Sequence, residues 1–146
     1  NNFSSVMEVI PAKHKVVILG DSGVGKTALL TFYREDLRQM TNFGFDYMVK
    51  NEIVDEAVVS LQVWDLIGRD TFKTITQNYL RAVSAVILVY DVSNRASFDN
   101  IERWIDKFEG TVASSTTLVL VGNKADLIEE RTVSCEEGQK SAAEFC

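Results

Sequence analysis

Histidine, cysteine and proline are scarce in this sequence of 146 residues, which holds 1 His, 2 Cys and 1 Pro. With His14 alone and only Cys135 and Cys146 as thiols, neither a Cys/His zinc site nor a disulfide framework is open to it. The two thiols read as plain ones of a reducing, cytoplasmic compartment. Positive charge is also short. With 15 Lys+Arg against 21 Asp+Glu the net charge is −6, which excludes a nucleic-acid partner held by general electrostatics. No apolar run approaches the ~20 residues of a membrane span. The opening stretch, Asn1 to Ala12, lacks the charged lead and long apolar core of a secretory signal.

What is present is the balance of a soluble globular chain, 46% hydrophobic and 25% charged, long enough for one domain with a real core. The expected organisation is a leader over 1–12 and a single domain over 13–146, with Pro11 at the entry. Val16-Val17-Ile18-Leu19, Val86-Ile87-Leu88-Val89-Tyr90 and Leu118-Val119-Leu120-Val121 are short, β-branched-rich runs that end in Gly or Asp. Runs of this kind suit parallel strands covered on both faces. Leu61 to Asp65 alternates instead, and pairs with Tyr47 to Val54 through a hairpin turn at Asp55-Glu56. Helices are expected over Thr27 to Tyr33, from Ser134 onward behind a Ser cap with two Glu residues, and after Ser97, which can cap the third. In the last of these, Phe98, Ile101, Trp104, Ile105 and Phe108 form one apolar stripe, and Gly110 stops it. Alternating strands and helices give an α/β fold, a mainly parallel sheet with helices on both faces. Chemistry on such sheets gathers at the carboxyl ends of the strands.

Three motifs stand at those ends. After the first strand, Gly20-Asp21-Ser22-Gly23-Val24-Gly25-Lys26-Thr27 fits the phosphate-loop pattern, and Ala28 follows on the helix. Its glycines let backbone N–H groups turn inward on phosphate oxygens, and the helix N-terminus adds its dipole. Lys26 then neutralises β- and γ-phosphates and Thr27 ligates Mg²⁺. After the alternating strand comes Asp65-Leu66-Ile67-Gly68, where Asp65 can hold Mg²⁺ through water and Gly68 can offer its N–H to a γ-phosphate. After the last apolar strand comes Asn123-Lys124-Ala125-Asp126. The Asp126 carboxylate can accept both the N1–H and the amino group of guanine, a donor pair that adenine lacks. The Lys124 stem can cover the base, and Asn123 can brace the loop.

In this order and at these strand ends, the three motifs resemble the Ras superfamily of small GTPases, from Lys15 onward. The sequence is most similar to the Rab family, through Phe43-Gly44-Phe45-Asp46-Tyr47, Leu61-Gln62-Val63-Trp64-Asp65, Thr71-Phe72-Lys73-Thr74-Ile75-Thr76, Tyr79-Leu80-Arg81-Ala82 and Val89-Tyr90-Asp91-Val92. The resemblance implies a P-loop NTPase of the small G domain type. It implies a GTP-on, GDP-off switch in vesicle and membrane traffic, with Mg²⁺ as cofactor. The implied partners are effectors, an exchange factor and an activating protein. Tyr47, Trp64 and Tyr79 match an apolar trio shown to effectors, with Phe45 beside them; plain sheet packing explains Trp64 equally well.

Three departures from the family pattern stand out. Arg69 follows Gly68 where these GTPases carry the Gln that orients the attacking water. Arg is donor-only and cannot accept the water's hydrogen bond. Of the expected catalytic groups Lys26, Gly68 and Arg69, the last therefore implies slow intrinsic hydrolysis. Asn42 occupies the position of the Mg²⁺-contacting Thr, in a first switch shorter than usual. Phe32, Tyr33 and Leu37 are the candidates for the aromatic edge of the guanine pocket. Last, the family's final strand, guanine loop, last helix and lipid-bearing tail have no counterpart before Cys146, and Cys146 is not a C-a-a-X box. The expectation is a truncated chain, reaching the cytosolic face of membranes only through a tail not contained here.

Two other classes compete. A GTP-locked or nucleotide-poor interaction scaffold is motivated by Arg69 and Asn42, both at the γ-phosphate end. A P-loop small-molecule kinase shares the loop but has no use for Asn123-Lys124-Ala125-Asp126, and wants an Arg-rich lid that this sequence does not show.

Overall fold

A computed structural model describes residues 10–33, 39–40, 45–66 and 79–145. Its elements in chain order are β1 (Ala12–Leu19), α1 (Lys26–Tyr33), β2 (Gln39–Met40), β3 (Phe45–Val54), β4 (Ala57–Leu66), β5 (Val83–Asp91), α2 (Arg95–Asp99), α3 (Ile101–Phe108), β6 (Thr117–Asn123) and α4 (Cys135–Phe145). The strands form one six-stranded sheet in the order β2-β3-β4-β1-β5-β6. β1 pairs in parallel with β4 and with β5, and β5 with β6. β3 is antiparallel to both β4 and β2. This is the α/β, mainly parallel architecture that the alternation of patterns implies.

The β3–β4 hairpin sits in the expected register, with Tyr47 opposite Trp64 and Val54 opposite Ala57. Asp55 and Glu56 take φ of 48° and 65°. Left-handed backbone at both turn positions matches the twist of the flanking strands.

Side chains alternate across the central strands, so each strand feeds two cores. Val17, Leu19, Val86, Leu88 and Tyr90 point to the face that carries Ile101, Trp104 and Phe108 of α3. Ile18, Val63 and Val89 point to the opposite face, with Leu30 of α1. Beside α1 that second face is a wholly apolar hollow, lined among others by Ile18, Leu29, Leu61, Ile87 and Val121.

Two expectations need correction. The run Leu118–Val121 does not lie in a strand covered on both faces, because β6 is an edge strand and Val119 remains 41% exposed. Ser97 is not a helix cap. It lies inside α2, where its hydroxyl donates to the Asn94 carbonyl at 2.7 Å and accepts the Asp91 N–H at 3.0 Å. The helix then breaks at Asn100 and restarts as α3, although the apolar stripe runs through the break. By contrast, α4 opens as expected. The Ser134 hydroxyl accepts the Glu137 N–H at 3.1 Å, and Glu137 accepts the Ser134 N–H at 2.9 Å, a reciprocal capping box. Gly110, at φ 75°, lies just beyond the end of α3. Among the described residues no helix is long and apolar enough to cross a membrane.

Candidate functional site

β1 leaves the sheet at Leu19, and the chain turns through Gly20 to Gly25 before α1 starts at Lys26. Only glycine serves at two points of this turn. Gly20 has φ 145°, and a Cβ there would stand 2.1 Å from the Val89 carbonyl oxygen. Gly25 has φ 100°, and a Cβ there would stand 2.3 Å from Asn123 Nδ2. The Lys26 ammonium folds back over the loop and donates to the carbonyls of Gly20 and Asp21, each at 2.9 Å. Positive charge is thus held at the centre of a ring of backbone, beside a helix N-terminus, the arrangement that binds phosphate. Val24 is buried, whereas Ser22, Gly23, Thr27 and Ala28 stay at the surface.

The loop is also held from behind. The Asp21 carboxylate accepts Asn100 Nδ2 at 2.7 Å and Trp104 Nε1 at 2.8 Å. The sequence pattern placed Trp104 only in a core stripe. A buried indole needs an acceptor for its N–H, and that need is the one signal pointing to a second role.

At the end of β4, Asp65 is fully buried and its Oδ2 accepts the Thr27 hydroxyl at 2.7 Å. The two residues assigned to Mg²⁺ are therefore together, although 38 residues apart in sequence. A carboxylate and a hydroxyl are hard oxygen donors, and Mg²⁺ takes one or two such protein groups while phosphate and water complete its shell. The donor set fits that ion. Asn42, Gly68 and Arg69 lie outside the described residues, as does Leu37.

The third motif meets the first directly. Asn123, the last residue of β6, donates from Nδ2 to the Val24 carbonyl at 2.8 Å. It braces the phosphate loop across the sheet. Lys124 follows at φ 62°. Its ammonium lies 2.6 Å from Oδ2 of Asp91, at the end of the neighbouring strand β5. Asp91 Oδ1 accepts the Ser93 N–H at 2.8 Å and the Ser93 hydroxyl at 2.6 Å. Burial alone would raise the Asp91 carboxyl, but the bonds from Lys124 and Ser93 outweigh it and hold it below the usual carboxylate range. Asp126 is exposed on the same loop, whose turn is closed by Leu127 N–H donating to the Lys124 carbonyl at 3.0 Å.

The aromatic candidates separate. Tyr47 and Trp64 stack at 4.7 Å between centroids, and Trp64 meets Tyr79 edge-on at 6.4 Å. Tyr79 is buried, with its hydroxyl donating to the Trp64 carbonyl at 3.2 Å. Lys15 seals this cluster from below, donating to the Tyr79 carbonyl at 2.5 Å, and burial lowers its ammonium from the ordinary lysine value. Phe45 enters β3 beside Tyr47. Tyr33 turns to the sheet edge, its hydroxyl donating to Glu52 Oε1 at 2.7 Å, and burial with that carboxylate pushes the phenol up to about 12. Phe32 is 93% exposed.

A phosphate loop after β1, a buried carboxylate at the end of β4 and an Asn-Lys-Ala-Asp turn leaving the end of β6 define a P-loop domain of the small G type. The Ras family matches this chain over residues 15–146. The GTP-binding protein yptV2 of Volvox carteri is 42% identical over 135 residues, covering 90% of this chain and 62% of the relative. The Ras-related protein Rab-8B of Homo sapiens is 40% identical over 134 residues, covering 90% of this chain and 65% of the relative. The chain therefore spans less than two thirds of the length of these relatives. It belongs to the Ras family of small GTPases, on its Rab-like side.

Proposed function

We propose that this chain is a Rab-like GTP-binding switch that hydrolyses GTP slowly unless an activating protein assists. The observation that carries the reading is the junction of all three motifs. Lys26 is curled over the loop, Thr27 is bonded to Asp65, and Asn123 is bonded to Val24. Phosphate, Mg²⁺ and base determinants thereby converge on one end of one sheet. Thr27 and Asp65, with Asn42 as a weak further donor by resemblance, would hold Mg²⁺, which would supply charge neutralisation at the phosphates. Asp126 selects guanine, and the Lys124 stem covers it.

The switch reading extends to partners. Tyr47 and Trp64, backed by the buried Tyr79, are the aromatic groups offered to effectors, with Phe45 as a further candidate by resemblance. An exchange factor reloads GTP, and an activating protein contributes its own Gln and Arg. The setting that the Rab resemblance implies is vesicle traffic on the cytosolic face of membranes.

Arg69 sets the rate. An orienting Gln accepts one hydrogen bond from the water while donating another, and Arg has no acceptor. Single-turnover hydrolysis tests this. The chain is loaded with GTP and Mg²⁺, and bound nucleotide is separated over several hours. A Gln-bearing relative turns over at ~3–5 × 10⁻⁴ s⁻¹, so GTP that persists overnight is the expected result, and GDP within about an hour is the contrary one. Arg69→Gln should raise the rate; a flat or lower rate refutes the explanation. The same residue favours one second reading, a GTP-locked scaffold that signals only by being bound. Hydrolysis that stays absent even with an activating protein selects it.

A further inference from the structure

We propose that Asp91 is a positioning residue of the guanine-nucleotide site, fixing the Lys124 side chain in the pose from which its stem walls the base. The inference rests on the nucleotide reading above and adds to it a residue that none of the three motifs contains.

A lysine stem is a poor wall on its own. Its rotatable bonds carry about 2 kcal/mol of side-chain entropy, and Lys124 also sits in left-handed backbone at φ 62°. Something must hold its far end. Asp91 does so from the adjacent strand, Oδ2 to Nζ at 2.6 Å, with the two side chains 8% and 35% exposed respectively. The carboxylate is itself unable to swing, because Oδ1 is engaged by both the N–H and the hydroxyl of Ser93. The backbone beneath it is pinned as well, by the Asp91 N–H donating to Ser97 Oγ at 3.0 Å. Register completes the frame, since Asp91 lies opposite Asn123, the residue that braces the phosphate loop.

The pair also divides labour between the two lysines. Lys26 curls over the phosphate loop and donates to the carbonyls of Gly20 and Asp21. The charge of Lys124 is answered by Asp91, so Lys124 acts through the shape of its stem.

The test is the dissociation rate of a fluorescent GDP analogue from the chain in Mg²⁺, for wild type, Asp91→Asn, Lys124→Met and the double variant. Asp91→Asn should release the analogue roughly tenfold faster, about the size of one charge-assisted hydrogen bond. The double variant should release it no faster than Lys124→Met alone, because both changes remove one interaction. Purely additive effects overturn the proposal. So does an Asp91→Asn rate equal to or slower than wild type, the result expected if the pair only stabilises the fold or competes with nucleotide for the ammonium. A wild type that retains no analogue overturns the nucleotide reading, and this inference with it. If Asp91→Asn does not fold, Ser93→Ala removes the hydroxyl bond to the carboxylate, keeps the backbone N–H bond and leaves no unpaired charge. About threefold faster release is then expected, and an unchanged rate refutes the proposal.

Discussion

The indole N–H of Trp104 donates to Oδ1 of Asp21 at 2.8 Å, joining α3 to the phosphate loop across 83 residues of sequence. Trp104 is at the same time a fully buried member of the larger core. One side chain thus sets both the packing of the helix on the sheet and the outer wall of the loop. Trp104→Phe keeps most of the apolar volume but removes the donor. The expected cost is ~2–4 kcal/mol, from a lost hydrogen bond to a charged acceptor plus a small cavity. Urea unfolding measures it, and a cost below about 0.5 kcal/mol shows that the bond contributes nothing net.

Gly25→Ala should damage the site more than its size implies. The new Cβ stands 2.3 Å from Asn123 Nδ2, and the backbone is at φ 100°. Strain of ~1–3 kcal/mol follows from such a conformation, and the Asn123–Val24 bond must give way. Equilibrium titration with GDP should show affinity lost together with thermal stability. Unchanged affinity would show that the brace is dispensable.

Charge and base recognition separate by substitution. Lys26→Ala removes the ammonium at the loop centre and should abolish nucleotide retention on gel filtration. Asp126→Asn keeps the size of the side chain but loses the double acceptor, so the GTP-over-ATP preference should fall by at least tenfold. An unaltered preference removes Asp126 from base recognition.

The start of α4 is sensitive to acid. The Ser134 backbone bond, then Arg95, hold the Glu137 carboxyl below its ordinary value of 4.5. A carboxyl depressed in the folded state contributes stability above its unfolded value, and loses it as pH falls through the folded one. Melting temperature measured from pH 6 down to pH 3 should therefore fall less steeply in Glu137→Gln than in wild type. Parallel curves would show that this cap does not titrate with folding.

Much of this was legible from local pattern. The three apolar runs, the hairpin at Asp55-Glu56 and the capping box at Ser134 each depend on neighbours within a few residues, so sequence exposes them. The phosphate loop was equally plain, because its glycines answer a backbone demand made on the spot. Contacts between distant segments were hidden. The partners of Asp21 lie 79 and 83 residues away, and Asp91 meets Lys124 only because β5 and β6 are neighbours. Ser97 was misread for a related reason. A serine before an apolar stripe has the pattern of a cap, and only the fold turns its hydroxyl to the end of β5.

The sheet order has a mechanical consequence. Asp65, Gly20, Asp91 and Asn123 close four strands that stand side by side, β4-β1-β5-β6, all parallel. A ligand that grips this end grips the four strands together, like a clasp across the mouth of a fan. Its binding free energy is added to the cohesion of those ladders, because the unfolded chain holds no such end. A ligand bound there should therefore raise the melting temperature of the chain in step with its concentration.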